Sequence, residues 1–155
     1  MVIEVEAEAV VPRRVEEVFD AATDPAGLPR FFTGYPPLIP AIREATIEGG
    51  GAVAAGALRN VRLSDGTSIQ ERVLAHDRPS LHRYDMADMN SLQRLLCTNM
   101  VSEWRFSDVG GATRIVWRYA IHAKGGPVLP AAWVTARLFR RAMQRCLDNV
   151  AAALR

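Results

Sequence analysis

Ile3, Val5, Ala7, Ala9 and Val11 alternate with Glu4, Glu6 and Glu8 at the start of the chain. A period of two with one apolar side predicts a strand buried on one face and solvated on the other. Pro12 closes it. Val15, Val18, Phe19 and Ala22 then recur at helical spacing until Pro25, and a second short helix is predicted over residues 26–32, with Asp24 as N-cap and Pro25 at the first helical position. "TGYPPLIP" is a proline-rich break. From Ile39 to Ile121 the pattern is β, with strands expected at 39–48, 52–63, 67–76, 81–89, 98–107 and 113–122. Their links "EGGG", "SDG", "DRPS" and "DVGG" are turn chemistry, and short links between successive strands imply an antiparallel meander. Residues 90–97 read as helix or loop. After "KGGPVLP" one long helix is expected over residues 131–154, with Trp133, Ala136, Phe139, Met143, Cys146, Val150 and Ala153 as its apolar stripe. Arg137, Arg141, Gln144, Arg145 and Asp148 lie opposite, as a solvated side or a basic docking face.

One sheet with an amphipathic helix laid across it buries both apolar faces. A curved sheet of this size cannot press every residue against one helix, so part of its concave face is expected to line a cavity suited to a small molecule.

Turn chemistry sorts the charges of "RNVRLSDGTSIQERV", residues 59–73. A two-residue turn at Asp65-Gly66 mixes apolar and polar side chains on both faces. A three-residue loop, Ser64-Asp65-Gly66 with Gly66 left-handed, pairs Leu63 with Thr67, Val61 with Ile69 and Arg59 with Glu71. That register gathers Val61, Leu63, Ile69 and Val73 on one face, and it puts Arg59 opposite Glu71 on that same face. Two charges there cost several kcal/mol per ion unless well paired. They form a structural ion pair at a cavity rim, a polar anchor for a ligand, or both.

Further along, His82, Tyr84 and Met86 share an inward parity, as do Ile115, Trp117, Tyr119 and Ile121, leaving Arg114, Arg118 and His122 outside. "TNMVSEWRF" is ambiguous, because Met100, Trp104 and Phe106 favour one face and Asn99, Val101 and Glu103 the other. Phe31, Phe32 and Tyr35 are expected to cover the cavity mouth.

The element order, together with "VPRRVEEVFDAATDPAGLPRFF", "LRNVRLSDGTSIQERV", "HDRPSLHRYDM", "SEWRFSDVGGATRIVWRYAI" and "FRRAMQRCLDNVAAAL", resembles the START-like, pollen-allergen-like helix-grip superfamily (SRPBCC), in particular its bacterial polyketide cyclase/dehydrase and lipid-transport group. The resemblance spans almost the whole chain and implies an α+β helix-grip fold. In that fold a curved antiparallel sheet of about seven strands wraps around a long C-terminal helix, with two short helices after the first strand. It further implies a ligand cavity between sheet and helix, with no catalytic signature to carry over. The register it implies for residues 98–106 turns Asn99, Val101 and Glu103 toward the cavity, which is the expectation adopted.

Composition narrows the rest. The 155 residues fit a single ligand-binding domain over 1–155, and the 49% apolar and 23% charged content is that of an ordinary globule. A net charge of +2 gives no reason for a nucleic-acid partner. No apolar run is long enough for membrane insertion, and the acidic N-terminus is no signal peptide, so a cytoplasmic protein is expected. Cys97 and Cys146 are far apart and read as buried thiols. His76, His82 and His122 make no metal-binding pair, and no nucleophile motif is present, so no metal or cofactor is expected.

The candidate ligand-contacting residues are therefore Arg59, Val61, Glu71, His82, Tyr84, Asn99, Glu103, Trp117, Tyr119, Phe139 and Met143. The first reading is a binder of a small apolar or amphipathic molecule, lipid-, polyketide- or steroid-like, acting as monomer or homodimer. The second is a cyclase or dehydratase with Glu71 or His82 as acid/base and Arg59 or Tyr84 as oxyanion donors. A protein-interaction module using Arg137 and Arg141 is the third.

Overall fold

A computed structural model describes residues 1–155, the side chain of Leu92 excepted. β1 (Val2–Val11) leads through α1 (Val15–Thr23), a 3₁₀ turn (Pro25–Gly27) and α2 (Leu28–Phe31) into β2 (Ile42–Ile47). Then come β3 (Leu58–Leu63), β4 (Ser68–Asp77), β5 (Leu81–Asn90), β6 (Cys97–Val109) and β7 (Ala112–Ala123), before α3 (Leu129–Ala153). All seven strands join one antiparallel sheet in the order β1-β7-β6-β5-β4-β3-β2. This is the helix-grip arrangement, with α3 packed on the concave face. No helix among the described residues is long and apolar enough to cross a membrane.

Local chemistry explains most boundaries. Asp24 caps the 3₁₀ turn after α1, its Oδ1 accepting from Ala26 N–H at 3.0 Å. β2 begins at Ile42 rather than Ile39 because Tyr35 and Ile39 pair with each other in a small loop. Gly34 makes that loop possible. Its φ is +75°, and a Cβ there would lie 2.4 Å from the Ile39 carbonyl oxygen. The strand expected over 52–63 is shorter, starting at Leu58, because "GGGAVAAG" is spent on turns. The β3–β4 hairpin has the three-residue loop, with Gly66 at φ +85° and Leu63 N–H donating to Thr67 O at 2.9 Å.

α3 lies along the edge strand β1. Its polar side chains occupy backbone groups that an edge leaves open. Gln144 donates from its amide to Glu8 O at 2.9 Å and accepts from Glu8 N–H at 3.3 Å, much as a neighbouring strand would. Arg140 Nε donates to Glu6 O at 2.9 Å. The inward arc runs through Ala132, Ala136, Phe139, Met143, Leu147 and Val150. Trp133, one residue off that arc, is 46% exposed, and Ala153 is exposed as well, so neither belongs to the buried stripe expected from sequence. On the convex face, Glu6–Arg118 and Glu8–Arg114 pair across β1 and β7.

Candidate functional site

Four strands carry the polar heart of the molecule. Arg59 on β3 and Glu71 on β4 are direct partners in the register. Arg59 Nε donates to Glu71 Oε1 at 2.8 Å, and Nη2 lies 2.7 Å from the same oxygen. Both side chains are almost wholly buried. Glu71 Oε2 accepts from no side chain among the described residues, so half of the carboxylate is left for something else. The guanidinium carbon sits 4.6 Å from the centroid of the Tyr84 ring on β5, a cation–π contact in a desolvated setting. Tyr119 on β7 completes the group, its hydroxyl donating to Tyr84 Oη at 3.1 Å.

Electrostatics follow from burial. Desolvation raises the Glu71 carboxyl above its usual range, and the Arg59 charge pulls it back only in part. Burial also works against the charge on Arg59, but the adjoining Glu71 carboxylate counters it, and the guanidinium holds its proton more firmly than usual. Tyr84 and Tyr119 are both raised, chiefly by burial, and stay un-ionised phenols. The group is one cation, the carboxylate paired with it, whose pKa burial raises, and two neutral hydroxyls.

This group opens on a cavity between the concave sheet and α3. The space leaves about 60 Å³ in which the centre of a water molecule can move, and about 660 Å³ of atom-free volume with its open mouth included. Its walls are Arg59, Leu63, Ile69, Glu71, Tyr84 and Met86 from β3 to β5, Met100, Trp104, Trp117 and Tyr119 from β6 and β7, and Phe139 and Cys146 from α3. Leu28, Phe32, Ile39, Pro40, Ile42, Met89 and Gln93 close the rim. Three of the chain's five methionines line it, a flexible and polarisable surface. Trp104 and Trp117 stack at 4.1 Å, and Trp117 Nε1 donates to Ser102 Oγ at 2.9 Å. Trp104 Nε1 is buried with no partner among the described residues. Burial also pushes the Cys146 thiol up, leaving it an inert wall rather than a nucleophile.

Of the residues singled out from sequence, Arg59, Glu71, Tyr84, Trp117, Tyr119 and Phe139 stand in this wall. Five others do not. Val61 faces the same side but seals a separate cluster with Leu28, Ala45 and Leu63. Met143 is fully buried in the packing beneath α3, and Cys146, one turn on, takes the position at the cavity. His82 has the right parity but lies too far toward the α1 end of β5. Its Nδ1 is 3.0 Å from His76 Nδ1, and its ring is edge-on to that of His76. Asn99 and Glu103 are on the opposite face from the one expected. Asn99 Oδ1 accepts from the backbone N–H of Met100 at 2.8 Å, and Glu103 pairs outside with Arg83 and Arg105. Met100 and Trp104 take the cavity side instead. Ser102 disguised that face in the sequence, since a serine between Met100 and Trp104 breaks an otherwise apolar row. Met89 and Gln93 fell within or beside a segment with no clear period.

Phe31, Phe32 and Tyr35 divide. Phe31 is core and Phe32 lines the cavity. Tyr35 is held from outside by Arg145 and Arg141 of α3, whose guanidinium carbons lie 4.9 and 5.7 Å from its ring centroid. Arg145 Nη1 also donates to Gly34 O at 3.4 Å, and Asn149 Nδ2 to Phe31 O at 2.9 Å. The basic side of α3 is thus partly spent on clasping the segment that supplies Phe32, Ile39 and Pro40 to the cavity.

Comparison with known proteins agrees with this architecture. Residues 2–155 match the model of the family described as polyketide cyclase / dehydrase and lipid transport. The chain belongs to that family. No curated protein matches it at a significant level. Among solved structures, this family member resembles the Zhui aromatase/cyclase from Streptomyces sp. R1128, with 14% identity, 99% of this chain and 94% of the other covered, and a TM-score of 0.77. Ginseng major latex-like protein 151 from Panax ginseng gives 12% identity, coverage of 100% and 99%, and a TM-score of 0.74. Ara h 8.0201 gives 18%, 99% and 98%, and 0.69. At these identities the likeness is one of fold.

Proposed function

We propose that the cavity binds a small, largely apolar molecule whose polar group is neutral, a carbonyl or hydroxyl rather than an acid. The observation that carries this is the Arg59–Glu71 pair. The only cation among the described wall residues already has its charge matched at 2.7 Å, and the neighbouring hydroxyls are un-ionised. A carboxylate ligand would bring a second anion beside Glu71 in a desolvated pocket, which is costly. A neutral oxygen meets no such penalty. It can accept from Arg59 or Tyr84, and a ligand hydroxyl can donate to Glu71 Oε2. Titration of the ¹⁵N-labelled protein with 2-nonanone tests the reading. Shifts should converge on Tyr84, Trp104, Tyr119 and Phe139. Shifts confined to the convex face, around Glu103 and Arg118, would overturn it.

A second reading has its own observation. A carboxyl raised by burial, with one oxygen free and a guanidinium and phenol beside it, has the makings of a proton-transfer site of the cyclase or dehydratase type. The family description includes cyclases, and Zhui is an aromatase/cyclase. In this reading Glu71 moves the proton and Arg59 or Tyr84 holds the developing oxyanion; His82, behind Tyr84 with ring centroids 5.4 Å apart, does not line the cavity and is given no part. Glu71→Gln should then abolish turnover of a polyketone substrate while ketone binding persists, and unchanged turnover would remove Glu71 from the chemistry.

A further inference from the structure

A second, smaller chamber adjoins the first. It leaves about 30 Å³ for the centre of a water molecule and lies under the N-terminal third of α3, where Ala132, Thr135 and Ala136 form its roof. Cys97 and Ile121 stand among its other walls. Four residues, Ile39, Gln93, Met100 and Phe139, line both chambers, so the two lie side by side with these side chains between them. The space exists because the inward arc of α3 is small here. Ala132 and Ala136 stand where the later turns carry Phe139, Met143 and Leu147.

Polarity is sorted along this path. Arg59, Glu71, Tyr84 and Tyr119 all belong to the first chamber, and among the described residues the second has no charged one in its wall. We infer that the ligand is elongated, with its neutral oxygen at the Arg59–Glu71 group and an unbranched alkyl or acyl tail passing between Met100 and Phe139 into the second chamber. The inference rests on the head-group reading above. The size of the second chamber and the flexible side chains that border it select the tail. A chamber half the size of the first, reached past an aromatic ring and an unbranched thioether, admits a single flexible chain and not a fused ring system.

A homologous series of 2-alkanones, from 2-pentanone to 2-tridecanone, separates head from tail. Binding is followed by amide shifts of the labelled protein. Affinity should rise about fourfold for each added methylene buried. With the longer members, new shifts should appear at Cys97, Ala132 and Ala136, absent with 2-pentanone. Thr135→Phe, which fills the second chamber from its roof, should cancel the gain from the added methylenes; Ala136→Val does the same more gently should the larger side chain disturb folding. If short ketones bind at Tyr84 and Tyr119 but affinity stops rising without shifts under α3, the tail assignment is overturned and the head-group reading stands. Failure of every ketone to bind overturns both.

Discussion

Arg59 and Glu71 face each other across β3 and β4 with a guanidinium nitrogen 2.7 Å from a carboxylate oxygen, and both side chains are buried on the concave side of the sheet. The pair organises the site: it fixes one charge against another, holds the guanidinium over Tyr84, and leaves one carboxylate oxygen unengaged by any side chain among the described residues.

Breaking one half of that pair leaves an uncompensated charge in the protein interior. Arg59→Met or Glu71→Leu alone should each cost about 3–5 kcal/mol, and the double variant much less than their sum. Urea unfolding of the four proteins in a double-mutant cycle checks this. Additive losses would mean that the two side chains do not act as a pair.

His82 gives the fold a pH dependence of its own. Burial, then the Arg59 charge and His76, lower its pKa from 6.5 to about 3. The unfolded chain therefore binds the proton more readily between those values, and stability falls as pH drops through that window. The contribution is fully present above pH 6.5 and is lost at up to about 1.4 kcal/mol per unit on the acid side. His76, also lowered mainly by burial, adds to it. Unfolding measured at pH 7 and pH 5 should show a smaller loss in His82→Leu than in the parent protein.

Tyr35 ties the 33–40 segment to α3 through two exposed arginines. Tyr35→Ala should cost about 1–2 kcal/mol, two contacts at ~0.5–1 each. Its larger effect should be kinetic. Hydrogen exchange at the Ile39 N–H, which donates to Tyr35 O at 3.1 Å, should accelerate, while the β6–β7 amides stay protected. Uniform acceleration across the sheet would show that Tyr35 is simply part of the global fold.

The fold was legible where alternation and turn chemistry agreed. The β3–β4 register followed from Gly66 and the loop length, and it alone placed Arg59 against Glu71. Helix spacing found α3 but misjudged Trp133, because three- and four-residue steps tolerate a rotation of the stripe by one position. On β6 the buried Ser102 makes the two faces look alike in the sequence, so alternation does not separate the Met100–Trp104 face from that of Asn99 and Glu103. Parity also gives a side without giving a distance along the strand, which is why parity alone groups His82 with a site that begins at Tyr84. The chambers themselves depend on how far α3 stands from the sheet, a quantity set by Ala132 and Ala136 together with their neighbours and carried by no local pattern.

Charge preference tests the central claim most directly. At neutral pH the parent protein should bind 2-nonanone more tightly than nonanoate, because Glu71 already occupies the arginine. Glu71→Gln removes the competing anion and frees Arg59, so nonanoate affinity should rise by about tenfold or more and overtake the ketone. Isothermal titration of both ligands against both proteins gives the answer. Tight nonanoate binding by the parent protein, unchanged in Glu71→Gln, would contradict a site built for a neutral oxygen.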